Sequence, residues 1–349
     1  MGNIKRIGIL TGGGDCPGLN AAIRASTKTA IQEGYEVIGI KNGWKGLFDN
    51  DYELLDYMRT SGIIDRGGTI LGTSRFSPLR IDNGPKVVLD EVKKLDLTGL
   101  IVLGGEGTLT VSYKMFQMNL PVVGIPKTID NDVRGTDYSI GFQTAVQIAT
   151  EALDRLRSTA ESHHRVMLLE VMGRHAGWIA TYAGMANGAD AILIPEIPLD
   201  EVKLEGLCQM LKKRNEKGIN FSVVVVAEGV LLEGKTIVRE FPDTANRERR
   251  ELLGGVGKVL GEIIEAKTGL ETRVSSLDYI QRGGTPVAYD RSLATAFGVK
   301  AIALIQQKKF GEITALRGNG ISSSPLAEVA KGIKKVYINA YRVAERFFG

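Results

Sequence analysis

Cysteine is almost missing from this sequence. Only Cys16 and Cys208 occur among 349 residues, so there is no CxxC pair and no disulfide framework to build. That usage suits a reducing compartment, and a cytoplasmic location is the expectation. Histidine is equally scarce, and His163, His164 and His175 share no ligand spacing with a cysteine, which argues against a zinc centre. No apolar run is long enough to span a bilayer, and MGNIKRIGIL enters a strand pattern with no signal segment ahead of it, so no membrane partner is expected. A dominant charge is lacking too. With 44 Lys+Arg against 40 Asp+Glu the formal charge is +4, and the two signs are interleaved, which favours acidic small ligands mildly and nucleic acid not at all. Lysine-rich pieces such as Lys334-Lys335 read as solvated helix faces.

Glycine, by contrast, is abundant, at 43 residues, while aromatics make up 6%. That balance suits an α/β protein with many tight strand-to-helix turns, and the length suits two domains. Arg6–Thr11 reads as a strand, GGGDCPG as a glycine turn and Asn20–Glu33 as a helix. Strands are expected near Tyr35–Lys41, Gly99–Leu103, Leu120–Ile125, Val166–Val171, Ala191–Ile194 and Phe221–Ala227. Helices are expected over Lys86–Leu95, Thr108–Gln117, Gly141–Ala160, Trp178–Asn187, Leu199–Lys217, Leu252–Lys267, Tyr289–Gln307 and Pro325–Arg346. Arg239–Arg250, charged and without pattern, reads as an exposed excursion. Alternating strands and helices imply doubly wound, mostly parallel sheets.

Ligands of such sheets sit outside the carboxyl ends of the strands, where three loops carry chemistry. In GGGDCPG, glycines let backbone N–H groups approach phosphate oxygens beside a helix N-terminus, although a turn needing positive φ is the competing reading. Pro17 stands where a dinucleotide fingerprint needs glycine, and no GK[ST] of a P-loop occurs. In GGEGT, Glu106 could hold Mg²⁺ against phosphates, or merely start a helix. PKTIDND adds Asp130 as a candidate acceptor of a hydroxyl proton, with Asx-turn capping the alternative.

Together, GILTGGGDCPGLNAAIR, GGTILGTSRF, GGEGT, PKTIDNDVRGTDYSIGFQTA, SHHRVMLLEVMGRHAGW and IQRGGTPVAYDR resemble 6-phosphofructokinases, in that order and across nearly the whole chain. The likeness is strongest to the bacterial mixed-substrate group, whose members use ATP or pyrophosphate. It implies two doubly wound domains: residues 1–141 with about 282–330 as the larger, donor-side domain, and about 142–281 with 331–349 as the smaller, sugar-phosphate domain. It implies phosphorylation of fructose 6-phosphate at the 1-hydroxyl, with Mg²⁺ as cofactor, in a homo-oligomer (a dimer or homotetramer) that shares active sites.

Carried over residue by residue, Gly14 and the Gly105, Glu106, Gly107 and Thr108 loop would cradle the donor, beside Arg75 and Phe76. Glu106 takes a metal position more often filled by Asp, Asp130 the base, and Asp132 the support of metal or loop. Arg75 would neutralise charge on the transferred group. Thr128, Ile129, Asp130, Met172, Gly173, Arg174 and Glu228 would meet the sugar, with Tyr279, Ile280 and Gln281 in the adjoining block. Arg165, Arg273 and Arg282 would hold the 6-phosphate, the first two from a neighbouring subunit. Tyr279 replaces a histidine common in ATP-dependent members. Arg24 and Arg157 fit the family's basic effector pocket, whereas Lys28 and Asp51 depart from it, so the resemblance does not carry over the usual nucleotide activation and phosphoenolpyruvate inhibition.

Gly107 leaves room for a nucleotide where pyrophosphate enzymes carry Asp, whereas Lys127 is the pyrophosphate-type residue. Steric access decides for ATP as main donor, with pyrophosphate the alternative. A non-catalytic sensor on this fold, or an NAD or lipid kinase sharing a GGDG-like loop, are the more distant readings.

Overall fold

The computed structural model describes residues 5–242 and 249–349. In chain order the elements are β1 (Arg6–Thr11), α1 (Leu19–Gln32), β2 (Glu36–Ile40), α2 (Lys45–Asp49), β3 (Tyr52–Leu55), α3 (Gly84–Lys94), β4 (Leu97–Gly104), α4 (Glu106–Gln117) and β5 (Val122–Pro126). There follow α5 (Phe142–His163), β6 (Val166–Val171), α6 (Trp178–Asn187), β7 (Ala191–Leu193), α7 (Glu201–Glu216) and β8 (Ser222–Ala227). Short strands β9 (Leu231–Leu232), β10 (Lys235–Thr236), β11 (Val238–Pro242) and β12 (Arg249–Leu253) lead to α8 (Val256–Thr268) and β13 (Thr272–Ser276). The chain closes with α9 (Ala288–Gln306), β14 (Glu312–Arg317), β15 (Gly320–Pro325), α10 (Leu326–Val329) and α11 (Ile338–Glu345).

Two compact units form. The first comprises Met1–Thr144 and Arg282–Lys334, the second Ala145–Gln281 and Lys335–Gly349. The first is built on a seven-stranded sheet of order β15-β14-β5-β4-β1-β2-β3. Its pairings from β14 through β2 are parallel, and antiparallel partners close both edges. The central strands β1, β4 and β5 are almost wholly buried, as expected for apolar runs covered by helices on both faces. The chain steps from β1 to β2 on one side and returns to β4 on the other, which makes the β1/β4 boundary the topological switch point. The second unit carries a four-stranded parallel sheet of order β13-β6-β8-β7, with β6 and β8 fully buried.

Two sequence expectations fail locally. Pro325–Arg346 is not one helix: after α10, Gly332 takes φ +103° and the Lys334 N–H donates to the Asp132 carbonyl, so the chain runs extended until α11. Helix α8 starts at Val256 and not at Leu252, because Gly254 and Gly255, at φ +130° and +92°, break the path before it. Of the excursion Arg239–Arg250, residues 243–248 lie outside the described residues, while its flanks pair as the antiparallel ribbon β11–β12. Strand β13 and the hairpin β14–β15 carry no apolar run and went unpredicted. Among the described residues no helix is long and apolar enough to cross a membrane.

Candidate functional site

In the first unit the three chemistry-bearing loops leave adjacent strands at the same end of the sheet. Thr11 pairs with Leu103, and Gly104 with Pro126, so GGGDCPG, GGEGT and PKTIDND begin side by side at the switch point. Backbone bonds knit them. The Gly12 N–H donates to Leu103 O at 2.9 Å and the Lys127 N–H to Gly104 O at 3.0 Å. Gly13, at φ +84°, donates its N–H to Ser74 O at 2.9 Å and accepts from the Thr73 hydroxyl at 2.7 Å. Those bonds draw the TSRF segment onto the glycine loop and leave Arg75 exposed beside it. Phe76 is fixed behind it, edge-on to Phe48 with ring centroids 4.7 Å apart.

Glu106 opens α4, with its carboxylate on the Thr110 hydroxyl at 3.1 Å and in the favourable field of the helix N-terminus. The space where a side chain at position 107 would start is open, with no atom within 4 Å. Among the described residues no three His, Cys, Asp or Glu side chains gather as a cation cage. The residues present fit a Mg²⁺ ion that takes one carboxylate here and its other ligands from phosphate and water.

Residues 127–140 form a closed loop. Lys127 and Ile140 face each other as a bridge, the Thr128 N–H donates to Ile140 O at 3.0 Å, and the Ser139 hydroxyl donates to Thr128 O at 2.8 Å. Inside it, Asn131 sits at φ +50° and is fully buried, accepting from the Ser139 N–H and donating to Asp137 O. Asp130 is only 6% exposed. Its Oδ2 accepts from the Thr128 hydroxyl at 3.2 Å, while its Oδ1 accepts no hydrogen bond among the described residues. A buried carboxylate oxygen without a hydrogen bond is costly unless a partner arrives. Asp132 is equally buried.

Lys127 is 1% exposed, and its ammonium donates to Gly14 O. Burial pushes its pKa down, as does the nearby Arg282 guanidinium. Arg282 lies against the same loop: a methyl group at position 14 would come within 2.5 Å of its Nη1, so a side chain there would push the guanidinium aside. Cys16, buried beside them, donates its thiol to Ile140 O, and burial pushes its pKa up to about 12, which makes it inert.

In the second unit the candidates fall at both ends of the four-stranded sheet. Met172, Gly173 and Arg174 follow β6, and Glu228 follows β8. The Arg174 N–H donates to Glu228 Oε1 at 3.0 Å, and the Glu228 N–H to Val171 O at 2.8 Å. Arg165 and Arg273 lie at the opposite end, where both guanidiniums pair with Glu271. Six residues of strand, about 20 Å, separate the two groups. Tyr279 and Ile280 are 62% and 67% exposed, whereas Gln281 is fully buried with its amide oxygen on the Met172 N–H at 2.7 Å. Arg157 donates to the carbonyls of Asn187 and Gly188, Asp51 pairs with Lys41, and Lys28 lies over the Tyr57 ring.

The sequence reading missed Asn131 and Lys334. Lys334 is buried at the loop 127–140 and is not part of a solvated helix face. Its neighbour in space is some 200 residues away in the chain, so no local pattern could reveal it.

A profile of the phosphofructokinase family matches residues 6–305. An ATP-dependent 6-phosphofructokinase of Spirochaeta thermophila is 47% identical over 344 residues, covering 95% of this chain and 93% of that protein. A pyrophosphate–fructose 6-phosphate 1-phosphotransferase of Amycolatopsis methanolica is 46% identical over 347 residues, covering 99% and 100%. The solved phosphofructokinase of Saccharomyces cerevisiae matches 98% of this chain at 31% identity and a TM-score of 0.81, and this chain spans 46% of that longer one. With a profile that runs from β1 into α9 and relatives alike over their whole length, the chain belongs to the phosphofructokinase family.

Proposed function

We propose that the protein phosphorylates fructose 6-phosphate at its 1-hydroxyl, with ATP as the main donor. One observation carries this reading: a buried Asp130 carboxylate, one oxygen without a hydrogen bond among the described residues, at the strand end beside two glycine-rich loops. A binding module or sensor has no need of such a base. Asp130 takes the proton of the attacking hydroxyl. The N–H groups around Gly14 and the Gly105–Thr108 turn hold donor phosphates, and Phe76 lies beside the nucleotide. Arg75 meets the charge that builds on the transferred group. Glu106 would hold Mg²⁺, which screens the donor phosphates when bound, and Asp132 supports that loop.

Sugar-binding roles go to Thr128 and Ile129 in the first unit and to Met172, Gly173, Arg174 and Glu228 in the second. Gln281 acts through Met172, to whose N–H it is bonded. Roles toward the phosphate of the sugar go to Arg282 in the first unit and to Arg165 and Arg273 in the second, with the exposed Tyr279 and Ile280 in the adjoining block. The last two arginines serve a neighbouring subunit of a homo-oligomer, dimer or tetramer, since they lie at the far end of β6 and β13 from Met172 and Glu228.

Open space at Gly107 supports ATP, because a nucleotide needs it and an aspartate there would fill it. Lys127 favours the second reading, pyrophosphate. Its ammonium, however, is covered and engaged with Gly14 O in this structure, where it braces the donor loop. Coupled assays with fructose 6-phosphate and each donor test this, with the higher kcat/KM expected for ATP. A higher value with pyrophosphate overturns the donor, and turnover with neither overturns the reaction. Gly107→Asp is expected to suppress ATP use, and unchanged turnover counts against the steric reason. NAD and diacylglycerol as acceptors separate the more distant kinase readings.

A further inference from the structure

We propose that Lys334 is the positioning residue that holds Asp130 in register, by filling the polar interior of the loop 128–139 with its ammonium. This rests on Asp130 being the base proposed above. The loop is an Ω-shaped excursion whose ends meet at the Lys127–Ile140 bridge. Such a loop turns carbonyls inward, and buried carbonyls need donors.

The loop supplies only some of them. Asn131 gives its amide N–H to Asp137 O, and the hairpin β14–β15 takes Asp137 N–H and Asp137 Oδ2 through Leu316 O and the Gly318 N–H. Lys334 brings more. Its Nζ donates to Asn131 Oδ1 at 3.2 Å, Thr136 O at 2.9 Å and Asp137 O at 2.7 Å, which are three acceptors for the three protons of an ammonium. Its own N–H donates to Asp132 O at 2.7 Å. The bonds thus fall on both residues that follow Asp130 and on the far limb of the loop. No neutral side chain of similar length offers three donors at one point. The Asp132 and Asp137 carboxylates favour the charge, while burial opposes it and lowers the Lys334 pKa to about 8.

The surrounding backbone is shaped for this contact. The expected C-terminal helix breaks at Gly332, and the extended run behind it delivers Lys334 inward while Lys331 and Lys335 stay exposed. Two residues on, the Val336 N–H donates to Glu196, which also receives the Gly177 N–H ahead of α6. The segment is therefore tethered on the C-terminal side of the lysine.

Lys334→Met is expected to lower kcat at least tenfold in the full-length enzyme while leaving the KM of the donor within twofold, because the glycine loops are untouched. Lys334→Arg, which keeps charge and donors, should recover part of kcat. Hydrogen exchange of amides 131–139 should quicken in Lys334→Met, and that of β1 should not. A folded Lys334→Met with kcat within twofold of wild type, a matching loss in donor KM, or unaltered exchange in the loop overturns the proposal. Amine-reactive labelling of the unmutated protein decides the case if the variants fail to fold. Lys331 and Lys335 should react and Lys334 should not, and a Lys334 that labels like its neighbours overturns it. Lack of any turnover by wild type would sink the kinase reading alone, since exchange and labelling report on Lys334 without it.

Discussion

The two units arrange their candidate residues in opposite ways. In the first, Gly12–Gly14, Gly104–Thr108 and Lys127–Asp132 all leave the carboxyl ends of β1, β4 and β5, and hydrogen bonds from 2.5 to 3.0 Å tie them together. In the second, Met172–Arg174 and Glu228 sit at one end of the sheet, and Arg165 and Arg273 at the other. A parallel sheet gathers at one end whatever follows its strands, so the first group can work as one constellation. The arginines precede or begin their strands. They cannot join a ligand at the far end of the same sheet, which is why the proposed function gives them to a neighbouring subunit.

The comparison breaks most sharply at Asp130. Asp130→Asn keeps the shape and removes the base, so kcat should fall by about 10²–10⁴-fold with substrate KM values little altered, as general-base loss does. A steady-state assay showing less than tenfold loss would show that the first group is not the reacting one. Next, Arg273→Ala should raise the KM for sugar phosphate by about 10–100-fold, the scale of one charge-assisted hydrogen bond worth roughly 1.5–3 kcal/mol. Mixed oligomers of Arg273→Ala and Asp130→Asn subunits should exceed the summed activity of the two parents at low sugar phosphate. No excess would place both ends of the sheet in one chain's site.

The smallest effect concerns Gly229, where a methyl group would come within 1.8 Å of Arg174 O. Gly229→Ala should cost about 1–3 kcal/mol of stability as overpacking, read as a lower denaturation midpoint. Because the clash falls on the turn that carries Arg174, the sugar-phosphate KM should rise more than that of ATP.

Legibility in the sequence followed hydrophobicity. Strands β1, β4, β5, β6 and β8 are apolar runs buried on both faces, and the loops after β1, β4 and β8 begin with glycine or an acid, so order and much of the loop chemistry could be read directly. Edge elements were not readable. TRVSS in β13 and GISSSP in β15 are polar because one side faces solvent. The C-terminal stretch has helical spacing, and what breaks it is a tertiary bond from Lys334 to Asp132. Gln281 belongs to the same class, since its burial against Met172 depends on a partner 109 residues away. Propensity and period see neighbours along the chain, and these contacts are between strangers in sequence.

The order in which the chain is made gives the interleaving of the units a last consequence. The first unit takes its final residues from Arg282–Lys334, and Lys334 is the last of them. A domain that ends early in a sequence can settle while the ribosome is still working on the next, at about 5–20 residues per second. Here the loop bearing Asp130 is bonded by a side chain that follows it about 200 residues later in the chain. Chains stopped before residue 334 would carry the loops after β1, β4 and β5 without those bonds, and on the proposal above they are expected to be catalytically silent.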